Sequence, residues 1–181
     1  MIFKPTSLSG SYEIELAPFI DDRGWFGRYY CKNEFLKIGH LKEWVQLNHS
    51  VTNKKGTVRG MHFQIPPYGE VKMVKCIVGN VWDVIIDLRS NSPTFLKWFG
   101  TELSAANKKM LYIPEGFAHG FQTLADHSEL LYHHTEFYKP DVESGIRYDD
   151  PLINIDWPLV VTLISERDQK HVLLNEQFKG I

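Results

Sequence analysis

Two histidines stand where an imidazole can move protons. His62 lies in Gly56-Thr57-Val58-Arg59-Gly60-Met61-His62-Phe63-Gln64, and His119 in Pro114-Glu115-Gly116-Phe117-Ala118-His119-Gly120-Phe121. Imidazole titrates near neutrality, so either ring can serve as base or acid once a carboxylate sets its tautomer. Strand alternation puts Gly60, His62 and Gln64 on one face and Arg59, Met61 and Phe63 on the other. There His62 is either a hydrogen-bonded structural residue or a base. Gly116 and Gly120 flank Ala118-His119, which lets another group approach the backbone and leaves the imidazole accessible. The alternative is a tight turn with an exposed histidine.

Lys72 opens the apolar stretch 71–78 on the face of Val74, Cys76 and Val78. A lysine goes inside with an anionic partner or a function; on an edge strand Lys72 and Lys75 would reach solvent instead. Asp83 and Asp87 share a face with Val81 and Ile85 and either orient a histidine or face water. Tyr132 offers a phenol as proton donor, or fills the core with its hydroxyl tied to backbone. Asp168 stands in Ser165-Glu166-Arg167-Asp168, an N-cap followed by acids, where the simplest role is a favourable first-turn charge. His133 and His134 point to opposite strand faces, a poor metal pair. The chain contains no His-x-His, and neither His62 nor His119 has a carboxylate at ligand spacing, so no metal site is expected.

These residues need rigid strands to hold them. The hydrophobic fraction of 43% and aromatic fraction of 13% in 181 residues suffice for one domain, residues 1–181, with a sizeable core. Short runs rich in Val, Ile, Phe, Trp and Tyr recur between Gly, Pro, Asn and Asp, as an all-β sandwich or barrel requires. Strands are expected over 12–16, 24–30, 43–51, 57–65, 98–103, 110–113, 120–124 and 129–137, and a hairpin over 71–88 turning at Gly79-Asn80. Short helices are expected over 33–38, ended by Gly39, and after Ser165. Closing so many strands into a jelly roll protects their edges. A formal charge of −2 argues against bulk binding of nucleic acid or acidic membranes. No apolar run reaches a membrane-spanning length, and Met1-Ile2-Phe3-Lys4-Pro5-Thr6 lacks the apolar stretch of a secretory signal. Cys31 and Cys76 make no disulfide framework and are read as reduced, which places the protein in the cytoplasm.

Taken together, the segments resemble the dTDP-4-dehydrorhamnose 3,5-epimerase family of nucleotide-sugar epimerases. The resemblance runs from about residue 21 to 168 through Asp22-Arg23-Gly24, Asn48-His49-Ser50 and Arg59-Gly60-Met61-His62-Phe63-Gln64. It continues through Asp83-Val84-Ile85-Ile86-Asp87-Leu88-Arg89, Ser92-Pro93-Thr94-Phe95, Leu103-Ser104-Ala105-Ala106-Asn107-Lys108, 113–121, Asp149-Asp150-Pro151 and Ile155-Asp156-Trp157-Pro158. It implies a cupin-type jelly roll, a homodimer, a nucleotide-diphosphate sugar substrate, and catalysis without metal or organic cofactor. By the same resemblance His62 is the general base, Asp168 the acid paired with it, Tyr132 the general acid and Lys72 the cation beside the keto oxygen. Arg59 and His119 match groups near the diphosphate, and Arg23 and Phe26 match positions that close the nucleotide pocket from the neighbouring subunit. Asn48, Arg28 and Tyr138 complete the substrate contacts.

The implied chemistry suits these residue types. A C4 ketone acidifies the hydrogens on C3 and C5, and the enolate that forms places negative charge near a fixed lysine. Inversion then needs a proton from the opposite face, which a tyrosine across the cavity can supply. The expected substrate is dTDP-4-dehydro-6-deoxy-glucose, converted to the L-rhamnose precursor of a bacterial surface polysaccharide. A single-carbon or CDP-sugar epimerase is the alternative within this class; a metal-dependent cupin oxygenase and a non-catalytic sugar-binding module are alternatives from other classes. Four positions in three places depart from the family pattern. Arg28 replaces an acid that contacts the nucleotide base, Glu70-Val71 replaces Gln-Gly before Lys72, and His133 replaces a lysine after Tyr132. Arginine offers donors only, which favours cytosine over thymine unless Arg28 pairs with Glu34 or another acid, contacts a phosphate, or turns to solvent.

Overall fold

The computed structural model describes residues 1–181. The strands are β1 (Ile2–Pro5), β2 (Tyr12–Glu15), β3 (Phe19–Asp21), β4 (Gly24–Phe26), β5 (Gln46–Thr52), β6 (Val58–Gln64) and β7 (Lys72–Val78). They continue with β8 (Asn80–Asp87), β9 (Trp98–Ser104), β10 (Met110–Ile113), β11 (Phe117–Thr123), β12 (Ser128–His134) and β13 (Glu143–Gly145). One antiparallel sheet has the order β1-β2-β10-β7-β12-β5, a second has β13-β6-β11-β8-β9, and β3 and β4 form a separate ribbon. This is the expected all-β jelly roll. The only helices longer than a single 3₁₀ turn are α1 (Lys32–Phe35) and α2 (Glu166–Gln169). No helix is long and apolar enough to cross a membrane.

Period-two alternation divides each strand between two environments. Val74 and Cys76 of β7, Val81 and Ile85 of β8, Phe117 and Phe121 of β11 and Leu130 of β12 meet between the sheets in one apolar cluster. The opposite faces are covered as well. Met73 and Met110 pack with Phe35 of α1, and Met61, Ile86 and Ala118 pack with Ile146 and Ile153. With both faces buried, β7 and β8 carry apolar residues on both sides, interrupted by Lys72, Lys75 and Asp83.

The expected 71–88 hairpin is overturned. β7 pairs with β10 and β12, whereas β8 pairs with β9 and β11. Gly79, at φ 72°, carries the chain from one sheet to the other, so Val74 and Val81 face each other across the core. A hairpin reading rests on local turn chemistry, and the same glycine serves a crossing between sheets equally well. β7 is also central, so the edge-strand reading of Lys72 and Lys75 fails and both are buried. The 24–30 strand shortens to β4, and β1, β3 and β13 are strands that local pattern did not announce. Gly39 ends the first helical segment at φ 79°, as expected.

A second correction concerns β6. Its register against β11 shifts between His119 and Phe121, so His119 pairs with His62 while Phe121 pairs with Arg59. The irregularity brings Arg59 and His62 to one cavity instead of opposite faces. At this point the two strands touch backbone to backbone. A Cβ on Gly120 would lie 2.7 Å from the Arg59 carbonyl oxygen and 2.5 Å from Met61 Sδ. Gly120→Ala is therefore expected to cost about 1–3 kcal/mol by overpacking, read as a lowered midpoint in chemical unfolding.

Candidate active site

A cavity of about 650 Å³ opens at the end of the interior that the apolar cluster leaves unfilled. That volume suits a small-molecule ligand. His62, Lys72, Tyr132, His119, Arg59, Asn48 and Tyr138 all line it, and so does Asp168. β6 and β11 supply His62, Arg59 and His119 from one sheet; β5, β7 and β12 supply Asn48, Lys72 and Tyr132 from the other. A ligand between the sheets therefore meets an imidazole from one side and an ammonium and a phenol from the other.

His62 Nε2 lies 2.8 Å from Asp168 Oδ1. With the carboxylate ionised, Nε2–H donates to it and Nδ1 keeps the lone pair a base needs. Asp168 is placed from far along the chain. Ser165 Oγ caps α2 by accepting from Asp168 N at 3.1 Å, and Gly60 N–H donates to Asp168 Oδ2 at 3.2 Å. Burial alone would raise the Asp168 carboxyl, but the His62 hydrogen bond and charge, the Gly60 N–H and the Arg167 guanidinium outweigh it and hold it at about 2. The first-turn charge is thus a buried partner of His62.

His119 is on strand β11 and is buried, not on an exposed turn. Its Nε2 lies 3.0 Å from both oxygens of Asp83, so Asp83 orients a histidine and does not face water. Asp87 is also buried, but it organises a loop: Arg89, Ser92 and Thr94 all donate to it. Tyr132 Oη sits 3.1 Å from Ser50 Oγ. Burial raises the Tyr132 phenol, the Ser50 contact opposes this, and the Asp83 charge adds to it. Such a phenol stays protonated and so has a proton to give. Lys72 Nζ pairs with Glu70 Oε1 at 2.9 Å.

Three of the expected contact residues do not line the cavity of their own chain. Arg23 binds Asp21 on the β3–β4 ribbon, Phe26 of the same ribbon is 74% exposed, and neither lines this cavity. Arg28 Nη1 pairs with Glu34 Oε1 at 2.9 Å outside the cavity, the pairing left open by the sequence.

Sequence reasoning missed Glu70, His134, Glu143 and Arg167, all of which line the cavity. Glu143 Oε2 accepts from Tyr138 Oη at 2.9 Å and from Arg167 Nη1 at 2.7 Å. Arg167 is adjacent to Asp168 in one helical turn, a signal that was available; Glu143 sits on a three-residue strand without apolar pattern. His171 was missed too. With His62 and Asp168 it brings three metal-type donor atoms within 4.8 Å of one another. Arg167 lies against two of them, 3.0 Å from His62 Nε2 and 3.4 Å from Asp168 Oδ1, and this fixed positive charge opposes a cation there.

A jelly roll with a carboxylate-held imidazole facing a lysine and a phenol defines a proton-transfer site of the cupin-type isomerases. Sequence similarity specifies the family. The family model described as dTDP-4-dehydrorhamnose 3,5-epimerase matches residues 5–176, and the chain belongs to this family. It is 47% identical to the dTDP-4-dehydrorhamnose 3,5-epimerase of Shigella flexneri over 86% of each chain. It is 39% identical to the dTDP-4-dehydrorhamnose 3-epimerase of Streptomyces niveus over 97% of this chain and 85% of that protein. The structure of the dTDP-6-deoxy-D-glucose-3,5-epimerase of Legionella pneumophila Philadelphia 1 in complex with dTDP-4-keto-L-rhamnose aligns with a TM-score of 0.89. The identity is 36%, over 95% of this chain and 92% of that one.

The paired carboxylates predict an acid transition. Asp168, Glu70 and Asp87 are each held at about 2, below their ordinary values of 3.8, 4.5 and 3.8. A depressed carboxyl stabilises the fold above its unfolded pKa and loses that contribution as pH falls through the folded value. Urea midpoints are expected to fall steeply between about pH 4.5 and 2. Asp87→Asn should lower stability at pH 7 and flatten that fall.

Proposed function

We propose that the chain epimerises dTDP-4-dehydro-6-deoxy-glucose at C3 and C5, giving dTDP-4-dehydro-L-rhamnose. The observation that carries this reading is the His62–Asp168 pair on one sheet facing Lys72 and Tyr132 on the other. His62 Nδ1 removes a proton from the carbon next to the ketone. Lys72 stabilises the negative charge that develops on the keto oxygen, in a site already organised for it. Tyr132 returns a proton to the opposite face, and a second cycle inverts the other carbon. Arg59 and His119 hold the diphosphate, with Asn48 and Tyr138 towards the nucleotide. Arg28 is engaged by Glu34, so its departure from the family pattern leaves dTDP as the nucleotide. A single-carbon reaction is the second reading, favoured by the similarity to the Streptomyces niveus 3-epimerase.

The reading extends to assembly. Residues 1–181 act as one epimerase domain that works as a homodimer in the cytoplasm, in keeping with the unpaired Cys31 and Cys76. The β3–β4 ribbon exposes Phe19, Ile20 and Phe26, apolar surface with no partner in its own chain. Set against a second copy, it brings Arg23 and Phe26 to the nucleotide end of the neighbour's cavity.

Deuterium wash-in from heavy water, followed by NMR on the 4-keto sugar, tests the chemistry. His62→Ala should lower exchange at both carbons by about 10²–10⁴-fold with the fold intact by circular dichroism. Tyr132→Phe should keep proton exchange and slow inversion sharply. Near-normal exchange in His62→Ala would remove His62 from the mechanism, and label at C3 alone in wild type would select the single-carbon reading. Light scattering at micromolar concentration should give twice the chain mass; a fully active monomer would overturn the shared site.

A further inference from the structure

The cavity holds a third carboxylate–imidazole pair that the proposed mechanism does not use. His134 Nδ1 lies 2.6 Å from Glu70 Oε2, and the other oxygen of the same carboxylate accepts from Lys72 Nζ at 2.9 Å. The side chains of Glu70, Lys72 and His134 are each about 10% exposed. The residues next to them are joined as well: Val71 N–H donates to Thr135 Oγ1 at 2.9 Å, and Thr135 N–H donates to the Val71 carbonyl at 3.1 Å. The His134 ring stacks on Tyr132 with centroids 6.1 Å apart and planes at 22°, and Asn48 Nδ2 lies 3.4 Å from its Nε2. One carboxylate thus ties the cavity's only lysine to an imidazole locked against the phenol.

We infer that Glu70, held by His134, is a positioning residue for Lys72: it fixes the ammonium where the keto oxygen of the sugar docks. This rests on the reading of Lys72 given above. A lysine on four rotatable bonds has many positions, and transition-state electrostatics reward only the one aimed at the developing charge. Two rigid contacts on the carboxylate, one from Lys72 and one from His134, remove that freedom before substrate arrives. The cavity's other carboxylates are engaged elsewhere, Asp168 with His62 and Glu143 with Tyr138 and Arg167, and Lys72 pairs with neither. A glutamine at position 70 keeps a hydrogen-bonding oxygen but loses the charge, so the ion pair itself can be tested.

The experiment is a double-mutant cycle on kcat and KM, read by the wash-in assay with the dTDP-linked 4-keto sugar. Glu70→Gln should lower kcat about 10–100-fold, the scale of a small misplacement of a catalytic group, with KM changed less than about threefold. In a Lys72→Met background the same substitution should cost less than about threefold, because a residue acting through Lys72 has nothing left to act on. Glu70→Asp should recover part of the loss. Costs that multiply in the cycle, or a Glu70→Gln enzyme with wild-type kcat, would overturn the inference. Should Glu70→Gln fail to fold by circular dichroism, His134→Gln enters the cycle in its place with the same expectation of non-additivity. A Lys72→Met enzyme as active as wild type would instead remove Lys72 from the mechanism, an outcome distinguishable from failed coupling.

Discussion

The hydrogen bond between His62 and Asp168 joins residues 106 positions apart, and the path of the C-terminal third of the chain follows from it. A carboxylate can be presented to β6 only if a segment without a strand of its own is laid along that strand and fixed there. Thr57 bridges Leu163 in parallel, Val58 N–H donates to the Leu163 carbonyl, and Thr162 N–H donates to the Gly56 carbonyl. The fully buried Gln122 of β11 holds the same segment further along: its amide donates to the Leu159 carbonyl and accepts from the Leu159 N–H. An amide in the interior satisfies both its donor and its acceptor in this way. The approach of α2 to β6 is therefore held by contacts of the segment just before it, and the Ser165 cap and the Gly60 N–H then fix Asp168 within it.

The interior between the sheets is divided in kind. At one end Val74, Ile85, Leu111 and Leu130 exclude water. At the other, Asp168, Asp83 and Glu70 each meet an imidazole, and Glu70 also meets Lys72. Buried ion pairs of this sort contribute little net stability, since desolvation offsets their attraction, although breaking one leaves a costly unpaired charge. Their value lies in orientation. Charges fixed in a low-dielectric pocket need not reorganise as charge moves onto a substrate oxygen, which is the condition for strong transition-state stabilisation. The apolar end supplies the stability that lets the polar end be arranged for chemistry.

Strand content and the inward face of most strands were legible because period-two alternation is a local property. Lys72 beside Val74 and Cys76, and Tyr132 two residues from Leu130, occupy the faces their spacing predicts. Pairing was less legible, because partners are decided across the whole chain. Gly79-Asn80 has the chemistry of a hairpin turn and serves a crossing between sheets. Alternation failed at Arg59, where a register shift on β6 overrides the count. The assignment of Asp168 to His62 came from family resemblance, since nothing in the spacing of two residues so far apart could bring them together. Glu143 and Arg167 escaped for a related reason: they meet over Tyr138 only after the 140–145 and 165–169 segments dock on β6.

Two departures from the family pattern introduce a new charge, and the structure gives them opposite weights. Arg28 finds Glu34, and Glu70 finds both His134 and Lys72, so each new charge is answered locally. Arg28 is 64% exposed, and an ion pair in that setting is screened by water and contributes little. Glu70 lies inside the cavity, where its charge acts on Lys72 through a medium that screens weakly. Burial, more than the chemical size of the substitution, decides which change reaches the cavity. A residue that reads as a conservative exchange, glutamate in place of glutamine, therefore changes the electrostatics of the cavity more than an acid replaced by arginine on the surface.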